Sequence, residues 1–238
     1  MRWKFILGLL TICAVLMSMS YTMLIPFLPM YLIQDLGVVK ADVDMWSGAI
    51  FAITFLVSGI MAPIWGALAD KKSRKLMALR AGFCLAITYF LGGLVTNPWE
   101  LLGVRFIQGL SAGLWPALLA IISVESPKLK LGFCMGVMQG GMTAGGVLGP
   151  LFGGLLADQF GMRMAFFIAA AALFLITLAL LFFVKEEPRK PDPNAKPVKI
   201  WDFSLCKIPA VKRMLICAGV VQLTILMQQP IIDRKSVV

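Results

Sequence analysis

Along this chain apolar residues fall into long runs, and the charged residues are confined to short intervals between them. A helix needs about 20 apolar residues to cross a bilayer. That ruler finds six spans, from Phe5 to Ile33, Met45 to Ala69, Leu76 to Val95, Trp99 to Val124, Leu131 to Ala157 and Met164 to Val184. A seventh begins near Met214 and stops at Pro230. The first segment has a basic start, but it is too long for the apolar core of a signal peptide. It also lacks a small-residue cleavage pattern and is followed by further spans, so it reads as the first membrane helix.

The connections alternate in charge. Arg2 and Lys4, then Lys71, Lys72, Arg74 and Lys75, then Lys128 and Lys130, then the basic stretch after Val184 all fall on one side. The other side receives QDLGVVKADVD, TNP and DQFGMR, which are acidic or nearly neutral. Basic loops stay in the cytoplasm, so the amino terminus is expected there, in a multi-pass protein of the cytoplasmic membrane.

Composition sharpens this. With 60% hydrophobic residues, 14% charged residues and a mean hydropathy of +0.88, the chain lies outside the soluble range. The net charge of +10 sits in the connections, where it sets orientation, so nucleic acid is not an expected partner. Cys13, Cys84, Cys134, Cys206 and Cys217 show no metal-binding spacing and read mostly as small buried hydrophobes. The chain has no histidine, which excludes imidazole catalysis and histidine-ligated metal. No nucleophile constellation or nucleotide loop is present, so an enzyme is not expected, nor is a cofactor.

The expected organisation is a six-helix bundle over 1–184, a cytoplasmic linker over 185–213 with a surface helix, the start of a seventh span over 214–232, and a tail at 233–238. The last six residues, DRKSVV, would put Arg234 and Lys235 on the side that otherwise avoids basic residues. They are also what a common sequencing adapter encodes, so the tail reads as non-native. The natural protein is expected to continue past about Ile232, to roughly twice this length.

The fifth span carries GVMQGGMTAGGVLGPLFGG, Gly136 to Gly154. Interior glycine costs about 1 kcal/mol against alanine and proline about 3, so this is no ordinary soluble helix. Gly141, Gly145, Gly149 and Gly153 recur every four residues and form one ridge on which a neighbouring backbone can approach closely. Pro150 removes an amide donor beside that ridge and is expected to bend the helix.

An internal repeat is also present. GALADKKSRK at Gly66 and GLLADQFGMR at Gly154, 88 residues apart, share a glycine, a Leu-Ala-Asp run and a basic tenth residue. Asp70 maps onto Asp158. The first copy ends the second span on the cytoplasmic side, and the second ends the fifth span on the opposite side. That inversion predicts two inverted three-helix repeats in an all-α membrane protein.

These stretches resemble the major facilitator superfamily, and within it the twelve-helix drug–proton antiporters. GALADKKSRKLMALR is similar to the superfamily loop motif, with Gly66, Asp70, Arg74 and Lys75 at its marked positions. In the family this loop latches the two halves in the outward-facing state. The chain departs from the pattern at Lys71, where arginine is usual, and at Ser73, where glycine is usual; a positive φ there would strain serine. LLGVRFIQGLSAG resembles the fourth-span motif, and the resemblance implies a proton-coupling role for Arg105 with Gln108 beside it. Gly136, Gly145, Gly149, Pro150, Gly153 and Gly154 match the antiporter motif of the fifth span at every spacing. That motif is associated with export. Pro26 and Pro29 resemble the paired prolines of the first span in such exporters.

The resemblance implies proton-coupled efflux of small amphipathic drugs or metabolites by alternating access, by a protein that is monomeric at full length. Candidate cavity residues are Met17, Tyr21 and Met23, Phe51 and Phe55, Arg105, Gln108 and Trp115, and Met138, Gln139 and Met142. Methionine and aromatic walls suit varied ligands. The first six spans hold no carboxylate in mid-membrane, so Asp35 or Asp158 carries the proton from the outer edge, or the carrier lies in the other half. Two further readings remain: uptake of a sugar or organic acid, and a half-protein that does not itself transport.

Overall fold

The computed structural model describes residues 2–71, 73–184, 213, 214, 216, 217, 219 and 220; of Arg2, Asp70 and Lys71 it gives the backbone alone. The chain divides into two units, Met1–Pro193 and Asn194–Val238. In the second, all the described residues, from Arg213 to Val220, are helical. The expected linker before residue 213, its surface helix, the rest of the seventh span and the tail at 233–238 lie outside the described residues.

The described part of the first unit is all helical: α1 (Arg2–Met23), α2 (Leu28–Gln34), α3 (Val43–Lys71), α4 (Arg74–Leu94), α5 (Pro98–Leu110), α6 (Leu114–Glu125), α7 (Leu131–Phe160) and α8 (Met162–Phe183). These make six segments long and apolar enough to span a membrane, the expected number. Large hydrophobic side chains such as Ile87, Phe90, Leu175 and Phe182 stand exposed on α4 and α8, as a lipid-facing surface requires.

Two of the expected spans are each built from two helices. The first breaks at Leu24–Phe27, where Pro26 has no amide to give, and resumes as α2 with Pro29 in its first turn. The fourth breaks at Ser111–Gly113, and Gly113 takes φ +119°, a conformation side chains resist. The breaks lie close to the 88-residue offset of the repeat, so each repeat opens with a broken helix.

Glycines set the closest packing. A Cβ on Gly141 would stand 2.7 Å from Thr11, on Gly149 2.7 Å from the Met19 carbonyl, and on Gly153 2.7 Å from the Met23 carbonyl. On Gly145 it would collide with the Val15 carbonyl. Residue numbers rise together on both helices, so α1 and α7 run parallel, joined backbone to backbone as the ridge predicted. α7 stays one helix through Pro150. In α4 and α8 the numbers run oppositely, Gly82 facing Thr177 and Gly93 facing Phe167, so these helices are antiparallel.

The ends are capped from the sequence. Asn97 accepts from the Glu100 amide at 2.9 Å, Pro98 occupies the first turn of α5, and Glu100 accepts from the Thr96 amide at 2.8 Å. Ser73 caps α4 by accepting from the Leu76 amide at 3.1 Å, with φ −71°. The serine that departs from the family pattern is therefore unstrained. Its repeat counterpart, Gly161, does take a positive φ, +82°.

Candidate functional site

Arg105 and Gln108 lie one turn apart on α5 and both face inward, 5% and 7% exposed. Arg105 Nη1 donates to Gln108 Oε1 at 3.1 Å. Among the described residues no carboxylate pairs with Arg105; Asp35 pairs instead with Arg163, at 3.2 Å. The cation is thus inside the bundle, held by a neutral amide.

Neighbouring helices fix this pair. Gly109 lets α3 approach until a Cβ would stand 2.8 Å from the Thr54 carbonyl, and Thr54 Oγ1 donates to the Ile50 and Arg105 carbonyls at 2.9 and 3.4 Å. From α4, Tyr89 donates to the Ser20 carbonyl at 2.9 Å, while Tyr31 of α2 donates to the Gly92 carbonyl at 2.9 Å. Two tyrosines therefore tie α4 to the first span on either side of its break. Thr88, Tyr89, Gly92, Val104, Arg105, Gln108 and Phe166 surround a narrow crevice too tight to hold a water molecule.

The candidate cavity residues separate. Tyr21 is half-buried and meets the exposed Phe55 edge to face, with ring centres 6.4 Å apart. Met23 does not line an open wall, because it is 3% exposed and lies under Gly153, where glycine draws α7 onto α1. Met138 is likewise sealed in the core near the N-terminal end, beside Leu10, Leu118 and Cys134. Met17, Phe51 and Trp115 are half-buried packing partners of the core. Gln139 is exposed and Met142 half-buried on α7, and neither lines the Arg105 crevice.

Of the motif positions, Gly145, Gly149 and Gly153 form the seam with α1, and a Cβ on Gly154 would meet Phe27 at 3.2 Å. Gly66 and Gly136 face open space. Arg74 opens α4, and Lys75 Nζ donates to the Leu181 carbonyl at 2.6 Å. Cys13 and Cys134 are buried, Cys84 is partly buried and Cys217 is exposed.

Sequence reasoning missed Arg80, Trp65, Tyr31 and Tyr89. Arg80 interrupts the apolar run LMALRAGFCLAITYF of α4, and a lone cation inside a span is the signal that should have marked it.

Comparison with known proteins fits this architecture. The Major Facilitator Superfamily profile matches residues 10–232. The multidrug resistance protein MdtG of Citrobacter koseri is 42% identical over 186 residues, covering 78% of this chain and 46% of that protein. That of Yersinia enterocolitica is 40% identical over 187 residues, 78% of this chain and 45% of the relative. The chain spans about half the length of these relatives. Among solved structures, a bacterial homologue of the lysosomal transporter Spinster superposes with a TM-score of 0.68 at 22% identity, over 87% of this chain and 48% of that one. The human organic anion transporter MFSD10 gives 0.62 at 21% identity, over 75% of this chain and 47% of that one. With its paired three-helix repeats, its glycine seam and a profile match along nearly its whole length, the chain belongs to the major facilitator superfamily.

Proposed function

We propose that this chain forms the N-terminal half of a proton-coupled exporter of small amphipathic compounds. It works by alternating access in the cytoplasmic membrane, with its amino terminus in the cytoplasm. The observation that carries the reading is Arg105, a buried cation with no carboxylate among the described residues and one amide oxygen to hold it. Such a charge is costly in a membrane bundle and belongs on a substrate or ion path. The names of the similar MdtG proteins support drug export, as does the six-position glycine motif of α7.

Spans two and five bury the smallest shares of their apolar windows, 17% and 22%. We assign those faces to a second six-helix bundle, with the substrate between the two. Tyr21, Phe55, Gln139 and Met142 are the residues of this half proposed to meet substrate, and Gln108 serves Arg105. Asp35 is already paired with Arg163 and Asp158 stands in the last turn of α7, away from Arg105 on α5, so the proton carrier is assigned to the second bundle. The loop carrying Gly66, Asp70, Arg74 and Lys75 is assigned to latching the two halves, and the whole protein to a monomer.

The test is expression of the gene with its downstream sequence in a pump-deficient strain, measuring dye accumulation with and without a proton uncoupler. Expression should lower accumulation, the uncoupler should restore it, and Arg105→Gln should abolish the effect at an unchanged membrane level. Dye accumulation that is insensitive to expression or to the uncoupler overturns the reading.

A further inference from the structure

A helix that breaks inside a bilayer frees carbonyls that no water is present to satisfy. At the break in the fourth span the local turn takes some of them. The Ser111 amide donates to the Ile107 and Gln108 carbonyls at 3.0 and 3.2 Å, and the Ala112 amide to Gly109 at 3.3 Å. The carbonyls of Leu110 and Ala112 are taken by side chains from two other helices. Trp65 Nε1 of α3 donates to Leu110 at 2.8 Å, and Arg80 Nη2 of α4 donates to Ala112 at 3.0 Å.

The two side chains are stacked, with the Arg80 guanidinium carbon 3.4 Å from the centre of the Trp65 ring. That geometry combines cation–π attraction with the flat face only arginine offers. It also puts a cation at the carbonyl end of α5, where the helix dipole favours one. Gly113 closes the arrangement, since a Cβ there would stand 3.7 Å from Arg80 Nη2 and 3.9 Å from Trp65 Cβ. Arg80 Nε is buried without a partner, so stacking and one carbonyl hold the guanidinium.

We infer that Arg80 and Trp65 form a clamp that keeps the fourth span broken and sets the direction of α5, making them positioning residues for Arg105. Arg105 lies five residues before the end of α5, so a span that straightened at the break would carry it out of register with Thr54 and Tyr89. The consequence for transport rests on the role proposed for Arg105, whereas the clamp is tested without transport.

The experiment is hydrogen–deuterium exchange by mass spectrometry on this chain in lipid nanodiscs, comparing wild type with Arg80→Met, Arg80→Lys and Trp65→Phe. In Arg80→Met the amides of residues 107–117 should exchange roughly tenfold faster, and those of the α1–α7 seam should not change. Trp65→Phe keeps an aromatic ring and loses the donor, so it should give a smaller increase at the same amides. Arg80→Lys should fall between wild type and Arg80→Met, because an ammonium reaches the carbonyl but does not stack flat. Unchanged exchange at 107–117 overturns the clamp, and equal acceleration in every helix overturns it too, since that would mark general stability alone. Should Arg80→Met fail to insert, Trp65→Phe decides between the same outcomes. A local effect in nanodiscs alongside failed dye efflux would remove the transport reading and leave the clamp standing.

Discussion

Lys75 and Arg163 hold the same position in the two copies of the repeat, and each reaches across to the closing turn of the helix that the other begins. Lys75, at the start of α4, donates to the Leu181 carbonyl near the end of α8; Arg163, at the start of α8, donates at 3.3 Å to the Val95 carbonyl that closes α4. Carbonyls at a helix end lack intrahelical donors and attract cations. The antiparallel pair thus exchanges caps about a pseudo-twofold axis.

Arg163 also pairs with Asp35, and both side chains are partly exposed, at 41% and 26%. A double-mutant cycle of Arg163→Met and Asp35→Asn should return a coupling of about 0.2–1 kcal/mol, the range of solvent-accessible pairs. Thermal unfolding in detergent at low and high salt checks it, and the coupling should shrink as salt rises.

The glycine seam makes a sharper pair of predictions. Gly145→Ala should destabilise the bundle by about 1–3 kcal/mol, because its methyl would strike the Val15 carbonyl and a backbone has nowhere to go. Gly140→Ala, on the same helix but with nothing within 4 Å, should be neutral or stabilising by up to about 1 kcal/mol. Unfolding midpoints of the two variants beside wild type decide the matter.

This contrast shows what was legible in the sequence. Spacing alone identified Gly141, Gly145, Gly149 and Gly153 as one face, since a four-residue period fixes a helix side whatever the partner is. The partner, α1, was not legible, because Thr11, Val15 and Met19 carry no pattern that a carbonyl contact requires. The same limit hid the break at Ser111–Gly113. Its local signal is small residues, whereas the donors that make it tolerable, Trp65 and Arg80, come from helices distant in the chain. Among the site residues, Arg105 and Gln108 announced themselves as polar groups inside a span. Met23 and Met138 were misjudged as cavity walls because methionine looks alike on a wall and in a core.

Gln108→Leu keeps approximate volume but leaves the Arg105 guanidinium without its acceptor. The loss should be about 1.5–3 kcal/mol, the scale of a hydrogen bond to a charged group. Gln108→Glu instead supplies a full countercharge. It should restore stability, and in the transporting protein it should shift the pH dependence of efflux. Unfolding in detergent measures the first effect and dye efflux across a pH series the second.

At the loop between α3 and α4, Ser73→Ala should cost about 1 kcal/mol through loss of its bond to the Leu76 amide, while Ser73→Gly should cost only a few tenths. A positive-φ requirement would reverse that order and make the glycine variant the more stable of the two. Melting temperatures of the three proteins, measured in one detergent, test it.

The α1–α7 seam also bears on how the chain is made. Val15 and its partner Gly145 lie 130 residues apart. At 5–20 residues per second, roughly 7–26 s separate their synthesis. For that interval the face of α1 bearing Thr11, Ser18 and Thr22 has been translated and its partner has not. Threonines 11 and 22 meet the wait by bonding back to carbonyls of their own helix, Leu7 at 2.7 Å and Ser18 at 2.9 Å. The first span can therefore rest in lipid as an independent helix until the ribosome delivers the glycines that receive it.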